Sequence, residues 1–553
     1  MNRRDVIKSL AVAPFVGGFM ANGSAMAKSR SITDPLLGGA NIYESIGVDP
    51  VINCRGTFTI IGGSIERPEV LEAIKAASGC FVQYDELAFG VGQRLGELTG
   101  AEFGIITAGC AAAMKHATAA CVAGGNPERL IRIPDLRGME KTEVVSPRHS
   151  RNVYDHAIRN VGVKMIDVET PEELRRVLSN KTAMIYMTTG GGSDTGQPLS
   201  VEVVCEIAKP FNVPVLVDAA AENLTIPNVH FQRGATMVAY SGGKAICGPQ
   251  CAGLLLGPKG LMLSAWQASS PHHGPGRDNK VGKEEMLGML AAVEAWTTRD
   301  HEAEWKRWES WLNHITDVVT KVNGVTTSIR QPGDNFSALN NRAPRLTISW
   351  DPDKLHITGE EVAEEVARNK PRLAIGSGGR RPRRGNDEEG EEVNMTSVSV
   401  HPSQMQPGEE KIVADRLYGI LSQKRQPKSK QLKAPSGNIA GRWKVDIDFS
   451  SSKSTHTLFL EQDGNWIQGS HQGDFSVREL VGMIEGNQVK LRSNDRHVAD
   501  HVTNIFHGKL SGDTITGSIF LGEYLTAEFK ATKNPYEVEK NPVVVPGGPP
   551  LAT

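Results

Sequence analysis

The sequence predicts an α/β unit built on a largely parallel sheet, followed by a small antiparallel β-barrel or sandwich. Three observations carry this. Between residues 103 and 257, short apolar runs alternate with helical segments, the pattern of strands that cross over through helices. After residue 438 the pattern becomes polar–apolar with a period of two, interrupted at Asp463-Gly464-Asn465, Glu485-Gly486-Asn487 and Ser511-Gly512-Asp513. Such turns join adjacent antiparallel strands into hairpins. Between these regions, Lys428 to Asn438 is polar and carries Pro435 and Gly437, which reads as a linker.

The chain of 553 residues is too long for one core, so two or three domains are expected. It is 39% hydrophobic and 22% charged with a net charge of -2. Nothing in that balance draws it to nucleic acid or to an anionic membrane. The seven cysteines (Cys54, Cys80, Cys110, Cys121, Cys205, Cys247 and Cys251) all lie in the first half. Their odd number argues against a disulfide framework. Cys247 and Cys251 have no second Cys/His pair at zinc spacing, so they read as buried free thiols and no metal is expected.

The N-terminus, Asn2-Arg3-Arg4-Asp5-Val6-Ile7-Lys8, leads into an apolar run from Leu10 to Met20 and then Ala25-Met26-Ala27. The run is short and broken by Pro14 and Gly17-Gly18, so it reads as a cleavable signal, not an anchor. The paired arginines resemble a twin-arginine export signal, which implies a periplasmic or exported protein that folds before crossing.

A Gly-rich arm precedes a helix starting near Pro68, where proline suits the first turn and Glu69 the helix dipole. Phe103 to Thr107 is an apolar strand, followed by Gly109-Cys110-Ala111 and an Ala-rich helix to about Val122. Exposed N–H groups at such a helix start cradle an anion, and small side chains let it approach. No Walker lysine or full dinucleotide glycine pattern is present, so a nucleotide is not favoured. Arg148 to His156 concentrates basic and aromatic groups before a further helix; these suit an anion or a ring, or simply a solvated helix start. Strands at 163–168, 183–187 and 213–217 alternate with helices at 171–179 and 201–208. In such sheets ligands gather at the carboxyl ends of the strands. Asp218-Ala219-Ala220 follows one such end, and Ser241-Gly242-Gly243-Lys244 follows the apolar run Met237 to Tyr240 about one repeat later.

Together these are the parts a pyridoxal 5'-phosphate site needs. The turn at Gly109, Cys110 and Ala111, with the Ser241 hydroxyl, is expected to bind phosphate. Asp218 is expected to keep the pyridine nitrogen protonated, and Lys244 to bond the aldehyde carbon and then act as base at the substrate's α-carbon.

Residues of about 40 to 425 resemble a known family. The likeness rests on residues 51–57, 109–113, Asn152 with Tyr154 to Arg159, Val217 to Glu222, and Ser241 to Ala245 with Gly248-Pro249-Gln250. It continues through Gly276-Arg277, Lys280-Val281, Lys283-Glu284-Glu285 and Gln406 to Glu410. The chain resembles the selenocysteine synthase-like branch of fold-type I pyridoxal phosphate enzymes, the branch of L-seryl-tRNA selenium transferase and D-glucosaminate-6-phosphate ammonia-lyase. The resemblance implies an aminotransferase-like large and small domain, Lys244 as the Schiff-base lysine, Asp218 as the pyridinium partner, and a homodimer or larger assembly. Cys247 departs from the branch, where a glycine is expected before Gly248, and this puts the close backbone approach to the phosphate in question. The charged stretch Gly376–Glu392 reads as a solvated loop, not a binding site.

The expected organisation is a signal at 1–27, an arm at 28–67, a large cofactor domain at 68–300, a small subdomain at 301–425, a linker at 426–438, a β-barrel-like domain at 439–534 and a tail at 535–553. The last β domain resembles small lipocalin-like domains. Its His456, His471 and His507 read as exposed strand residues at least as readily as ligands. A near-neutral, exported chain does not suit a tRNA substrate. The expected activity is therefore a lyase acting on a small amino acid or amino-sugar acid, by α-proton abstraction and β-elimination with release of ammonia. Arg151, Arg277 and Arg372 are the candidate substrate-anion contacts. The alternatives are a transferase (selenocysteine synthase-like or aminotransferase) and a degenerate fold kept as a binding protein.

Overall fold

The computed structural model describes residues 42–333, 336–382, 394–428, 431–535 and 542. The chain divides into two compact units, one ending at Pro427 and one starting at Lys428. The expected export signal lies outside the described residues, as does nearly all of the expected tail.

In the first unit, β1 (Val51–Asn53) precedes a central sheet made from β2 (Phe103–Thr107), β3 (Glu143–Pro147), β4 (Lys164–Val168), β5 (Thr182–Thr188), β6 (Val215–Asp218), β7 (Met237–Ser241) and β8 (Gly253–Gly257). Their order is β2-β8-β7-β6-β5-β3-β4. Every neighbouring pair among β3 to β7 is parallel, and β8 alone runs against both its neighbours. Since β2 and β7 both oppose β8, they point the same way, and the carboxyl ends of β2, β3, β5, β6 and β7 share one edge. The strands read as unbroken apolar runs because helices cover both faces. The helix Gly109–Ala123 is buried except at Gly109, Ala111 and Cys121, and it packs on the helix Lys259–Ala268 and on β7 and β8. Its alanines permit that close approach on every side.

The small subdomain has its own core around Trp311, Leu312, Ile348, Trp350 and Leu417. Strands β9 (Val325–Arg330), β10 (Arg345–Trp350), β12 (Gly376–Pro382) and β13 (Asn394–Val400) form an antiparallel sheet in the order β12-β13-β10-β9. β11 (Arg372–Ala374) instead pairs in parallel with β1, tying the arm to this subdomain. The expectation of a loop at Gly376–Glu392 is corrected in part. Gly376–Pro382 pairs with β13 across a register shift between Gly378 and Arg381, because an edge strand tolerates charge and irregularity. Residues 383–393 lie outside the described residues.

The second unit is a closed barrel of eight strands, β14 to β21, each antiparallel to its sequence neighbour. They span Gly441–Asp448, Lys453–Asp463, Trp466–Gln472, Val477–Glu485, Gln488–Arg496, His501–Ser511, Thr514–Phe520 and Thr526–Lys533. Gly464, Gly486 and Gly512 occupy the left-handed backbone positions that tight hairpins require. Trp443 is fully buried and its indole N–H donates to Ile439 O at 2.8 Å. No helix among the described residues is long and apolar enough to cross a membrane.

Candidate active site

Five strand ends deliver the chemistry to one edge of the sheet. After β2, the helix Gly109–Ala123 begins without a capping side chain. Its first-turn N–H groups therefore have no local acceptor and suit an anion. Gly109 has φ +83°, and a Cβ on Gly253 of β8 would lie 2.3 Å from Gly109 C and 2.6 Å from Cys110 N. Only glycine at 253 lets the strand pass this close to the turn.

Asp218 ends β6 and is 7% exposed. One carboxylate oxygen accepts from Ala220 N–H at 3.1 Å and from the Cys110 thiol at 3.5 Å. The other accepts from the Tyr186 hydroxyl at 3.3 Å. Burial pushes the Asp218 carboxyl above its ordinary range, against the pull of the Ala220 N–H, the Lys244 charge and the two side-chain donors. Burial, with Asp218 alongside, also pushes the Cys110 thiol and the Tyr186 phenol up, so both keep their protons and donate. Asn152, after β3, donates to the Tyr186 hydroxyl at 3.5 Å. His149, also after β3, donates through Nε2 to Ser193 Oγ at 3.2 Å, which itself donates to Thr188 O at 2.6 Å. Burial lowers the His149 ring's pKa.

Ser241 closes β7 opposite Gly253. Half-buried Lys244 follows, with Nζ 6.0 Å from the centroid of the Tyr154 ring. The turn is held by Gly242 N–H to Ala252 O, Cys247 N–H to Lys244 O and Gly248 N–H to Gly242 O, at 2.8, 3.0 and 2.9 Å. Cys247 has φ +59°, so the backbone keeps the left-handed conformation that glycine favours. The missing glycine costs some strain but leaves the turn intact. The expectation that both Cys247 and Cys251 are buried is corrected: Cys247 is half-buried and Cys251 exposed.

The three candidate arginines separate. Arg151 is buried and meets two carboxylates, Asp155 at 2.5 Å and Asp167, so its guanidinium is held within the fold and is not open to a substrate. Arg372 donates to the backbone oxygens of Ala367 and Asp49 at 2.7 and 3.2 Å; it fastens the arm to β11 and gives up the expected role for the same reason. Arg277 is exposed, with a 3.4 Å contact to Ser270 Oγ. Its loop is pinned to the helix Gly109–Ala123 by Lys115 and Asp278 at 2.7 Å. A cavity of about 650 Å³ adjoins the lysine turn at Ala245 and Cys247 and is walled by Trp296, Trp305 and Arg299. Neither Lys244 nor Asp218 lines it. Arg299 donates to Ile246 O at 3.2 Å and lies 4.8 Å from the Trp296 ring centroid.

Sequence reasoning missed Tyr186, His149's bond to Ser193, and Arg299. A tyrosine inside the apolar run of β5 was the one available signal. Its hydroxyl had to find a partner, and a parallel strand next to β6 placed that partner at Asp218.

These residues fit pyridoxal 5'-phosphate by their geometry alone. An uncapped helix start suits the phosphate, a buried carboxylate lacking a direct cationic contact suits the ring N–H, and an amine at the neighbouring strand end suits the aldehyde. No protein-family model matches the chain. D-glucosaminate-6-phosphate ammonia lyase of Salmonella typhimurium (strain 14028s / SGSC 2262) is 31% identical over 300 residues, 53% of this chain and 78% of that protein. The chain belongs to this ammonia lyase family. A second relative, a 5'-C-glycyluridine monooxygenase-decarboxylase of Streptomyces sp, is 26% identical over 389 residues, 68% of this chain and 92% of that protein. The solved structure of D-glucosaminate-6-phosphate ammonia-lyase matches with a TM-score of 0.59 and 26% identity, covering 69% of this chain and 98% of that one. The structural match accounts for nearly all of the solved relative.

Proposed function

We propose that the unit ending at Pro427 is a pyridoxal phosphate-dependent lyase that releases ammonia from a small amino acid or amino-sugar acid. The observation that carries this is the meeting of the uncapped helix start, buried Asp218 and Lys244 at one sheet edge. When bound, the cofactor supplies an aldehyde that holds the substrate amine and a ring that takes up charge from the α-carbon. Asp218, held by Tyr186 and the Ala220 N–H, keeps a proton at the ring nitrogen. The N–H groups of Cys110 and Ala111, with the Ser241 hydroxyl, hold the phosphate. Lys244 would take the α-proton and give it to a departing β-hydroxyl, which leaves as water; once the Lys244 amine displaces the enamine, the enamine would hydrolyse to an oxo acid and ammonia. Arg277, the one candidate arginine left exposed, would meet a substrate carboxylate or phosphate.

The reading is tested by screening amino acids and amino-sugar acids against the loaded protein, following the bound cofactor's spectrum and the ammonia released. No ammonia from any of them, with carbon dioxide formed and oxygen consumed, would point instead to the chemistry of the Streptomyces relative. Amino-group transfer without free ammonia would indicate a transferase.

The functional form is a homodimer or a larger homo-oligomer. Ile60 and Ile65 in the arm, Leu71 in the helix Pro68–Ser78, and Phe81 and Val82 just after it are all exposed, apolar surface that a second copy would cover. A monomer in analytical ultracentrifugation would contradict this. Export follows from the Arg3-Arg4 signal, and is checked by finding the mature N-terminus near residue 28 in a periplasmic fraction.

A further inference from the structure

The barrel contains a polar cluster that the proposed lyase does not use. His456 on β15, His471 on β16, Ser493 on β18 and Asn504 on β19 all face inward, with exposures of 5%, 0%, 2% and 4%. Of the three histidines read as exposed strand residues at least as readily as ligands, His456 and His471 are buried and His507 is exposed. His456 Nδ1 lies 2.8 Å from His471 Nε2, and His471 Nδ1 lies 2.7 Å from Ser493 Oγ. The half-exposed carboxylate of Asp474, which accepts from the Ser454 hydroxyl, lies 3.5 Å from His456 Nε2.

The carboxylate sets the direction of every proton in this chain. A lone pair on His456 Nε2 would face a negative charge, so that nitrogen carries hydrogen. His456 Nδ1 then accepts from His471 Nε2–H, which leaves His471 Nδ1 to accept from the Ser493 hydroxyl. Burial pushes the His471 ring down to about 3, and burial lowers His456 as well. Both rings are therefore neutral at working pH and the lone pair toward Ser493 is kept, although the same burial makes His471 a weak base, so its role rests on the 2.7 Å contact to Ser493 Oγ.

The barrel wall opens beside Ser493. Val477, Arg478 and Glu479 pair with β16, but β17 joins β18 only from Leu480 and Ser493 onward. A cleft of about 550 Å³ lies at this parting, lined by Ser493, Arg478 and Asp495. The last two are joined by an ion pair at 3.1 Å.

We propose that Ser493 is a nucleophile with His471 as its general base, making the barrel a second active site for small carboxylic esters. Ser493 Oγ bonds to the ester carbonyl carbon as its proton passes to His471 Nδ1. The carbonyl π electrons move to oxygen, where the amide of Asn504, the cross-strand partner of Ser493, would donate after turning from Val502 O, its acceptor at 3.5 Å. Collapse breaks the bond to the alkoxide, which leaves as alcohol with the proton from His471. Water then releases the carboxylic acid by the same steps and restores the serine. His456 and Asp474 are positioning residues that fix the tautomer of His471.

The test uses the full-length protein loaded with pyridoxal phosphate and a fluorophosphonate probe, with the adduct mapped by tandem mass spectrometry. One adduct on Ser493 is expected, absent in Ser493→Ala, and formed about 100-fold more slowly in His471→Gln. Because loss of a buried ring can unfold the barrel, Asp474→Asn at the half-exposed position is the second variant. It should keep the parent's melting temperature and label about fivefold more slowly. No adduct on Ser493, or labelling of a folded Asp474→Asn at the parent rate, would overturn the proposal.

Discussion

The two units bury similar polar chains but assemble them differently. In the α/β unit, Asn152, Tyr186 and Asp218 form a hydrogen-bonded line toward the lysine turn. In the barrel, Asp474, His456, His471 and Ser493 form a line toward a cleft. The first draws its members from within β5, from the end of β6 and from the turn after β3. The second draws them from inward positions on adjacent strands. A parallel sheet concentrates function at one edge, where loops are free to vary. A closed barrel offers its interior instead, and every polar group placed there must find a partner inside.

The contrast is most severely tested at Lys244. Lys244→Ala should remove the visible absorbance of the bound cofactor and lower ammonia release by roughly a thousandfold or more, while Ser493 labelling stays at the parent rate. Loss of both activities together would break the separation of the two sites. Asp218→Asn should come next, with ammonia release down about 100-fold and the cofactor still bound, since the ring nitrogen loses its charged partner but the phosphate keeps its helix. Titration of the variant with pyridoxal phosphate checks the second half of that statement.

Acid should act on both units through buried rings. Burial pushes His116 down to about 3 and His401 to about 4 in the α/β unit, and His471 down to about 3 in the barrel. The unfolded chain takes up these protons near pH 6.5, before the folded chain does. Stability is therefore complete above that pH and is lost as pH falls toward 4. His401 alone should account for about 3 kcal/mol of the loss, and His401→Gln should flatten the calorimetric pH profile by that amount. The smallest effect belongs to the lysine turn. Cys247→Gly should relieve the left-handed strain and raise stability by about 1 kcal/mol in urea unfolding.

Legibility followed the same division. Lys244, Asp218 and the Gly109 turn stood out in the sequence because each lies in a short contiguous stretch just after an apolar run. The barrel's hairpins were equally plain from their glycine turns. The buried chain within it was not, because His456 and His471 stand 15 positions apart and meet only through the pairing of β15 with β16. Alternation shows that a strand has two faces, but not which face a lone histidine occupies when its neighbours are Thr455 and Thr457. Arg151 failed for a related reason. Its charge suggested a ligand contact, while the answering carboxylates, Asp155 and Asp167, come from a turn and from a neighbouring strand.

Gly253 has a consequence for how this chain can vary over generations. The residue touches no reactive atom, yet any side chain there would press on the backbone of Gly109 and Cys110. A saturation library scored for ammonia release should therefore show a narrow trough at position 253, with alanine nearly as damaging as valine. Lineages that lost the lyase would be free to fill the position. A Cβ at 253 in a homologue thus serves as a one-letter marker of a retired site, even where the lysine and aspartate persist.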